Sequence, residues 1–255
     1  MIKHILIFGT IFLLINTSAY ALLGSGINMV AKHTKLLPDL EIIKLSKMSN
    51  EISGTKKIGK YLGEKNLPKE VLEDTYIRIA IHQKKISREE AEEFYKYLHG
   101  VDGFRTTMSK VIGNSPQKTI GHLNELQIAK NASKYGFKAI GIGTKYQDGL
   151  KKAPTDIDII LKKDNKLFII EAKDYSSKTK LPMDKYRADL DTLNAYKKEH
   201  DNEKVIAIFS ITNKPDNKTY LKLLKKEARR RNIELLFGTP SQQIVQVNQL
   251  NRIIQ

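Results

Sequence analysis

The chain has 255 residues, of which 44 are Lys or Arg and 28 are Asp or Glu, giving a net charge of +16 with 40 % hydrophobic residues and no cysteine. That balance argues against a disordered, collagenous or multi-span membrane protein, and the missing thiols exclude disulfides, a cysteine nucleophile, iron–sulfur clusters and cysteine-ligated zinc. The positive surplus predicts attraction to polyanions, nucleic acid or an anionic membrane, and any metal must sit on oxygen or imidazole.

In chain order, Lys3 and His4 precede an apolar run from Ile5 to Ile15, and Ala19-Tyr20-Ala21 places small residues at its exit. A basic end, about a dozen apolar residues and an A-x-A site make a secretory signal peptide over residues 1–21. The run falls short of the roughly 20 apolar residues of a spanning helix, so the expectation is cleavage after Ala21, export to the periplasm or beyond, and no stable membrane insertion afterwards.

Residues 22–115 read as a small all-helical region. Pro68 opens a helix striped with Val71, Leu72, Thr75 and Ile79, and Ser87-Arg88-Glu89-Glu90 is a capping box for another that carries Ala91, Phe94, Tyr95 and Leu98 and stops at Gly100. With 16 basic and 12 acidic residues, no repeat and no catalytic pattern, its expected role is helical packing, with a docking, export or inhibitory segment as the functional alternative.

Residues 116–255 hold 27 basic and 16 acidic residues, so the positive charge is concentrated here. A helix from Ser115-Pro116 to Tyr135 stops at Gly136, and a short strand follows over Phe137 to Gly143. Strands over Thr155 to Lys162 and Lys166 to Lys173 flank Asp164-Asn165. Next come a helix from Asp184 to about His200, a strand Lys204 to Thr212, a helix Asp216 to Arg231 and a strand Ile233 to Phe237. The tail from Ser241 fits a last helix weakly. This alternation predicts an α/β domain with a mixed sheet flanked by helices.

If Asp164-Asn165 is a two-residue hairpin turn, Asp158 faces Glu171 and Asp156 faces Lys173, placing all four charges on one face. Ile157, Ile159 and Leu161 then line the other face with Ala172, Ile170 and Phe168. Directly opposed carboxylates have Cβ atoms about 5 Å apart and destabilise a hairpin. A divalent cation resolves the conflict, and hard oxygen ligands at this spacing suit magnesium, with Lys173 on the same side to hold water or to stabilise charge on a phosphate. The bland alternative is a solvated strand face with an Asp156–Lys173 salt bridge. Glu125 shares a stripe with Ile128, Ala129 and Ala132 on the Pro116 helix, which sets a third acid on or beside the face that packs on the sheet; an edge acid paired with a lysine is its alternative.

Asp158, twelve intervening residues, then Glu171-Ala172-Lys173, with an upstream helical Glu125, resembles the PD-(D/E)xK, or restriction-endonuclease-like, nuclease superfamily, in particular its small endonuclease and toxin-type branches. The likeness spans Ser115 to about Phe237. It implies that Asp158 and Glu171 bind magnesium (manganese able to substitute) with the backbone carbonyl of Ala172, that Lys173 positions the attacking metal-bound water, and that Glu125 supplements the metal site. Pro154 is followed by Thr155, so Asp156 and Asp158 both compete for the motif acid; the register selects Asp158. The expectation is an exported endonuclease acting on DNA more readily than RNA, with an inhibitor or immunity protein as a possible partner.

For the nucleic-acid track the sequence offers Lys151 and Lys152 before the hairpin and Lys178, Lys180, Lys185 and Arg187 after it. Lys225, Lys226 and Arg229-Arg230-Arg231 either extend the track or satisfy a helix dipole. Tyr175 and Tyr186 read as packing residues rather than base-stacking ones. Gly141-Ile142-Gly143 reads as a strand end, and the six histidines show no metal-ligand spacing; His122 lies one turn from Glu125 but reads as a surface residue. Two rival readings stand beside the nuclease: a non-catalytic nucleic-acid-binding or toxin-adaptor protein keeping the fold, and a secreted interaction protein whose helical region targets anionic membranes.

Overall fold

The computed structural model describes residues 36–253 apart from 52, 114, 148 and 150–153. The expected signal peptide lies outside the described residues, as do Lys151 and Lys152. Among the described residues no helix is long and apolar enough to cross a membrane.

Among the described residues the helical region holds α1 (Asp39–Ser49), α2 (Gly54–Glu64), α3 (Lys69–His82), α4 (Arg88–Leu98) and α5 (Phe104–Gly113). The capping box at Ser87 forms, with Ser87 Oγ accepting from Glu90 N at 3.1 Å and Glu90 Oε2 accepting from Ser87 N at 3.0 Å. Helix α6 (Pro116–Lys134) takes Pro116 in its first turn, where a missing N–H costs nothing. It ends in a Schellman motif: Gly136 has φ +77°, and Phe137 N donates to Ala132 O at 3.1 Å.

The strands follow as β1 (Lys138–Tyr146), β2 (Thr155–Lys163), β3 (Lys166–Lys173), β4 (Lys204–Ile211) and β5 (Glu234–Phe237), with α7 (Met183–Glu199), α8 (Lys218–Arg230) and α9 (Pro240–Ile253) between and after them. The sheet order is β1-β2-β3-β4-β5, antiparallel across β1, β2 and β3 and parallel across β3, β4 and β5. This is the α/β architecture expected of the sequence, a five-stranded mixed sheet flanked by helices and preceded by a helical region. β1 runs beyond the expected end at Gly143, because Thr144 to Tyr146 continue to pair with β2 after a bulge at Ala139/Gly141.

The hydrophobic core has two layers. Ile159, Leu161, Phe168 and Ile170 face α6 and α9 and join a cluster that runs without a break into Leu98, Phe104 and Met108 of the helical region. Leu167, Ile169, Ala207 and Phe209 face α7 and α8. Polar ties reinforce the first layer: Lys130 and Lys134 of α6 both reach Glu93 of α4, and Ile142 N donates to Asp102 O at 2.9 Å, which docks the α4–α5 link on the edge of β1. A side chain at Gly103 would collide with the Ile142 carbonyl, so glycine permits that approach.

Candidate active site

The β2–β3 hairpin turns at Asp164 (φ +50°) and Asn165 (φ +55°), the left-handed pair that a two-residue I′ turn requires. Its rungs run from Lys163↔Lys166 to Ile159↔Ile170, the register that the two-residue turn sets. Beyond Ile159 the strands part. β2 stays with β1, pairing Ile157 with Thr144 and Asp156 with Lys145, whereas β3 stays with β4 through Lys173↔Ile211. Asp158 and Glu171 therefore sit in the mouth of a fork rather than on a closed rung. The Asp158 carboxylate fills part of the gap, its Oδ2 accepting from Ala172 N at 2.8 Å.

Two expectations change with the fork. Asp156 does not meet Lys173; it pairs with Lys145 at 2.6 Å and with Lys110 of α5 at 3.4 Å, and both the strand face and the salt bridge expected there are broken up. Burial opposes its ionisation, but the two lysines prevail and hold its carboxyl below the usual range. Ile157 also leaves the layer of Ile159 and Leu161 and packs with Ile160 and Leu167, because β2 follows β1 past the fork.

Lys173 is the cation of the fork. Its Nζ makes a very short contact with Glu171 Oε1 and lies 3.6 Å from Asp189 Oδ2 and 3.9 Å from Asp158 Oδ2. Asp189 comes from α7 and was not anticipated. The signal for it existed: it shares an inward stripe with Tyr186, Leu190 and Leu193, the same spacing that marks Glu125 on α6. Glu125 is buried, and His122 Nδ1 stands 3.1 Å from its Oε1, so His122 belongs to the site rather than to the open surface.

Charge in this pocket is out of balance. Burial and the neighbouring Glu171 push the Asp158 carboxyl well above the usual range, with Lys173 acting against them and Glu125 adding to them. Burial likewise raises Glu171, Lys173 opposing and Asp189 and Glu125 assisting. Burial alone would strip the proton from Lys173, but Glu171, Asp158 and Asp189 together raise its affinity for that proton instead. The donor set suits a hard divalent ion: two repelling buried carboxylates, and a buried Asp189 Oδ2 with no hydrogen-bond partner among the described residues. Among the described residues no three acidic or imidazole side chains converge as a closed ligand set, and the Lys173 ammonium stands among Asp158, Glu171 and Asp189.

The expected track residues after the hairpin follow β3 in the chain. Lys178, Lys180 and Lys185 are exposed on the loop after β3 and the first turn of α7. Arg187 is engaged, 3.7 Å from Asp184 and 3.6 Å from Glu227 of α8. Tyr186 is fully buried edge-on against Phe209 with ring centroids 4.8 Å apart, the packing role expected of it.

No protein-family model matches this chain, and no match was found among curated proteins. Among solved structures it is similar to Can2 from Sulfobacillus thermosulfidooxidans, solved in complex with cyclic tetra-adenylate, at 14 % identity over 86 % of this chain and 57 % of that one. The TM-score is 0.34, too slight a likeness to carry fold or function.

Proposed function

We propose that the protein is a metal-dependent nuclease of the PD-(D/E)xK type, hydrolysing phosphodiester bonds of DNA or RNA, and that residues 1–21 direct its export. The observation that carries this reading is the fork, where the parting of β2 and β3 gathers Asp158, Glu171 and Lys173 in one buried pocket with Glu125 and Asp189 around it. A resting fold gains nothing from such a surplus of negative charge, whereas a site that takes up a cation needs it.

In this reading Asp158, Glu171 and the Ala172 carbonyl hold magnesium or manganese, which when bound supplies Lewis-acid polarisation of the phosphate and a more acidic water. Lys173 orients the attacking water and stabilises charge that builds on the phosphoryl oxygens. Glu125, held by His122, supplements the carboxylate wall, and Asp189 leaves Lys173 a partner when Glu171 serves the cation. Lys178, Lys180 and Lys185 carry the polymer past the fork by phosphate contacts, which confer no sequence preference.

A second reading, a non-catalytic nucleic-acid-binding protein of the same fold, has the Lys173–Glu171 ion pair in its favour, since that pair closes the pocket on itself. One experiment separates them: purified protein with supercoiled plasmid, linear DNA and total RNA, in magnesium, manganese or EDTA, beside Lys173→Ala and Glu171→Ala. The nuclease reading expects metal-dependent cleavage that falls by about 10²-fold or more in either variant. Full activity in either variant overturns the site; binding without cleavage on every substrate leaves the second reading.

A further inference from the structure

We propose that the exposed face of α8 is a separate nucleic-acid contact, a rail for the phosphate backbone lying one helix away from the fork; the class of partner rests on the nuclease reading above. Lys218, Lys222, Lys225, Lys226, Arg229 and Arg230 are all exposed on this helix. Five of them, from Lys222 to Arg230, line a shallow groove of about 480 Å³. The single acid of α8, Glu227, is buried and committed to Arg231 at 3.0 Å, Arg230 at 3.4 Å and Arg187 at 3.6 Å. Among the described residues Lys222, Lys225, Lys226 and Arg229 have no ion-pair partner.

Ordinary helix chemistry does not account for this face. A basic last turn answers the helix dipole, but that effect fades within one turn and leaves Lys222 and Lys225 unexplained. Lys222 with Lys226, Lys225 with Arg229, and Lys226 with Arg230 are like-charge pairs four residues apart, each of which weakens a helix. Around α2, by contrast, Lys57 and Lys60 of the helix and Lys65 just after it pair with Glu51, Glu64 and Glu41. Cations retained at a cost in stability indicate an anionic partner, and their reach of about 12 Å along the helix axis matches a run of phosphates rather than one.

The placement suits a substrate that also enters the fork. Helix α8 packs on α7, which carries Asp189, through Tyr186 Oη donating to Leu224 O at 3.0 Å and Arg231 meeting Asp191 at 2.6 Å. Its N-terminal end is stapled to the loop after β3, with Asp216 N donating to Ser177 O at 3.1 Å and Ser177 Oγ donating to Asp216 Oδ2 at 2.9 Å. Lys178 and Lys180 lie on that same loop, so the basic surface continues from the exit of β3 onto α8.

The test is binding of the full chain to a short labelled duplex of arbitrary sequence in EDTA, followed by anisotropy across a salt series. The variant carries Lys222→Gln, Lys225→Gln, Lys226→Gln and Arg229→Gln; a control of equal charge carries Lys44→Gln, Lys47→Gln, Lys56→Gln and Lys60→Gln. Each lost phosphate contact flattens the slope of log affinity against log salt by about 0.9, so the four changes on α8 should take away about 3.6 in slope and at least tenfold in affinity near about 0.1 M salt, the control less than about 1. Equal losses in both variants, or none in the α8 variant, overturn the rail. So does a wild-type protein that ignores the duplex but binds anionic vesicles through these residues. A protein that binds DNA through α8 yet never cleaves keeps the rail and loses the nuclease reading; one that cleaves unimpaired with α8 neutralised does the reverse.

Discussion

The two ends of the β2–β3 hairpin both bury charge, and they handle it in opposite ways. At the turn, buried Lys166 donates to Asn251 O at 2.6 Å and to Asn251 Oδ1 at 3.1 Å, Asn251 donates on to Asp164 at 2.7 Å, and Lys163 donates to Tyr135 O at 2.6 Å. Every donor there has an oxygen of matching demand. At the fork one ammonium faces three carboxylates within 4 Å. Burial of a charge is thus no mark of function in this protein. The mark is a charge left over after the neighbours have been counted, and the hairpin shows both conditions within one supersecondary unit.

The contrast is broken most severely by Lys173→Met, which leaves Asp158, Glu171 and Asp189 without a counter-ion. Urea unfolding in EDTA at about pH 8 should show a loss of about 3 kcal/mol, shrinking toward about pH 5 as the raised carboxyls take up protons. At the turn, Lys166→Met should cost about 1 to 3 kcal/mol by stranding the Asn251 oxygens, and by the same amount at both pH values, since the partners of Lys166 are a backbone carbonyl and a side-chain amide. A pH-dependent loss at Lys166 would erase the distinction between the ends.

A smaller effect of opposite sign is expected from Asp158→Asn, which keeps an acceptor for Ala172 N and removes one of the repelling charges. In EDTA near neutral pH it should raise stability by about 1 kcal/mol, and in magnesium it should lose the cleavage proposed for the wild type. The pH sign follows from the raised carboxyl: the folded state binds that proton more tightly than the unfolded chain does. Its stabilisation is therefore complete below the ordinary carboxylate range and is lost as pH rises through the raised value. The stability difference between Asp158→Asn and wild type should accordingly grow from about pH 4 upward, measured by thermal melts in EDTA, and magnesium should narrow it by stabilising only the wild type. Smallest of all, Asn165→Ala at the left-handed turn position should cost about 0.5 kcal/mol with no change in salt or pH response.

Much of this was legible before any coordinates. Asp164-Asn165 between two apolar runs marks a two-residue turn, which sets one register, and the rungs obey it as far as Ile159↔Ile170. The fork was not legible, because a register read outward from a turn assumes that two strands remain partners, whereas β1 competes for β2 and β4 for β3. Lys145, which takes Asp156 away, lies outside the hairpin altogether. Helix α2 was hidden for a local reason: GTKKIGKYLGE carries three glycines, poor helix formers, and the helix is held by the fully buried Ile58 and nearly buried Leu62. Asp189 was readable from the kind of stripe that marks Glu125, but it lies on α7, outside the hairpin whose spacing carries the motif.

The docking of Asp102 and Gly103 on β1 has a consequence for how the chain is kept from self-association. A mixed sheet has two open margins, each a row of unsatisfied amides and carbonyls onto which another strand can add. Here the margin at β5 is only four residues long, and the nine-residue margin at β1 is partly masked where Ile142 N is already taken by Asp102 O. Cutting the helices away would bare both that margin and the apolar flank shared with Leu98, Phe104 and Met108. A fragment starting at residue 116 should therefore show more strand-paired aggregation than the whole chain, because the segment from Leu98 to Met108 is what covers that margin and flank.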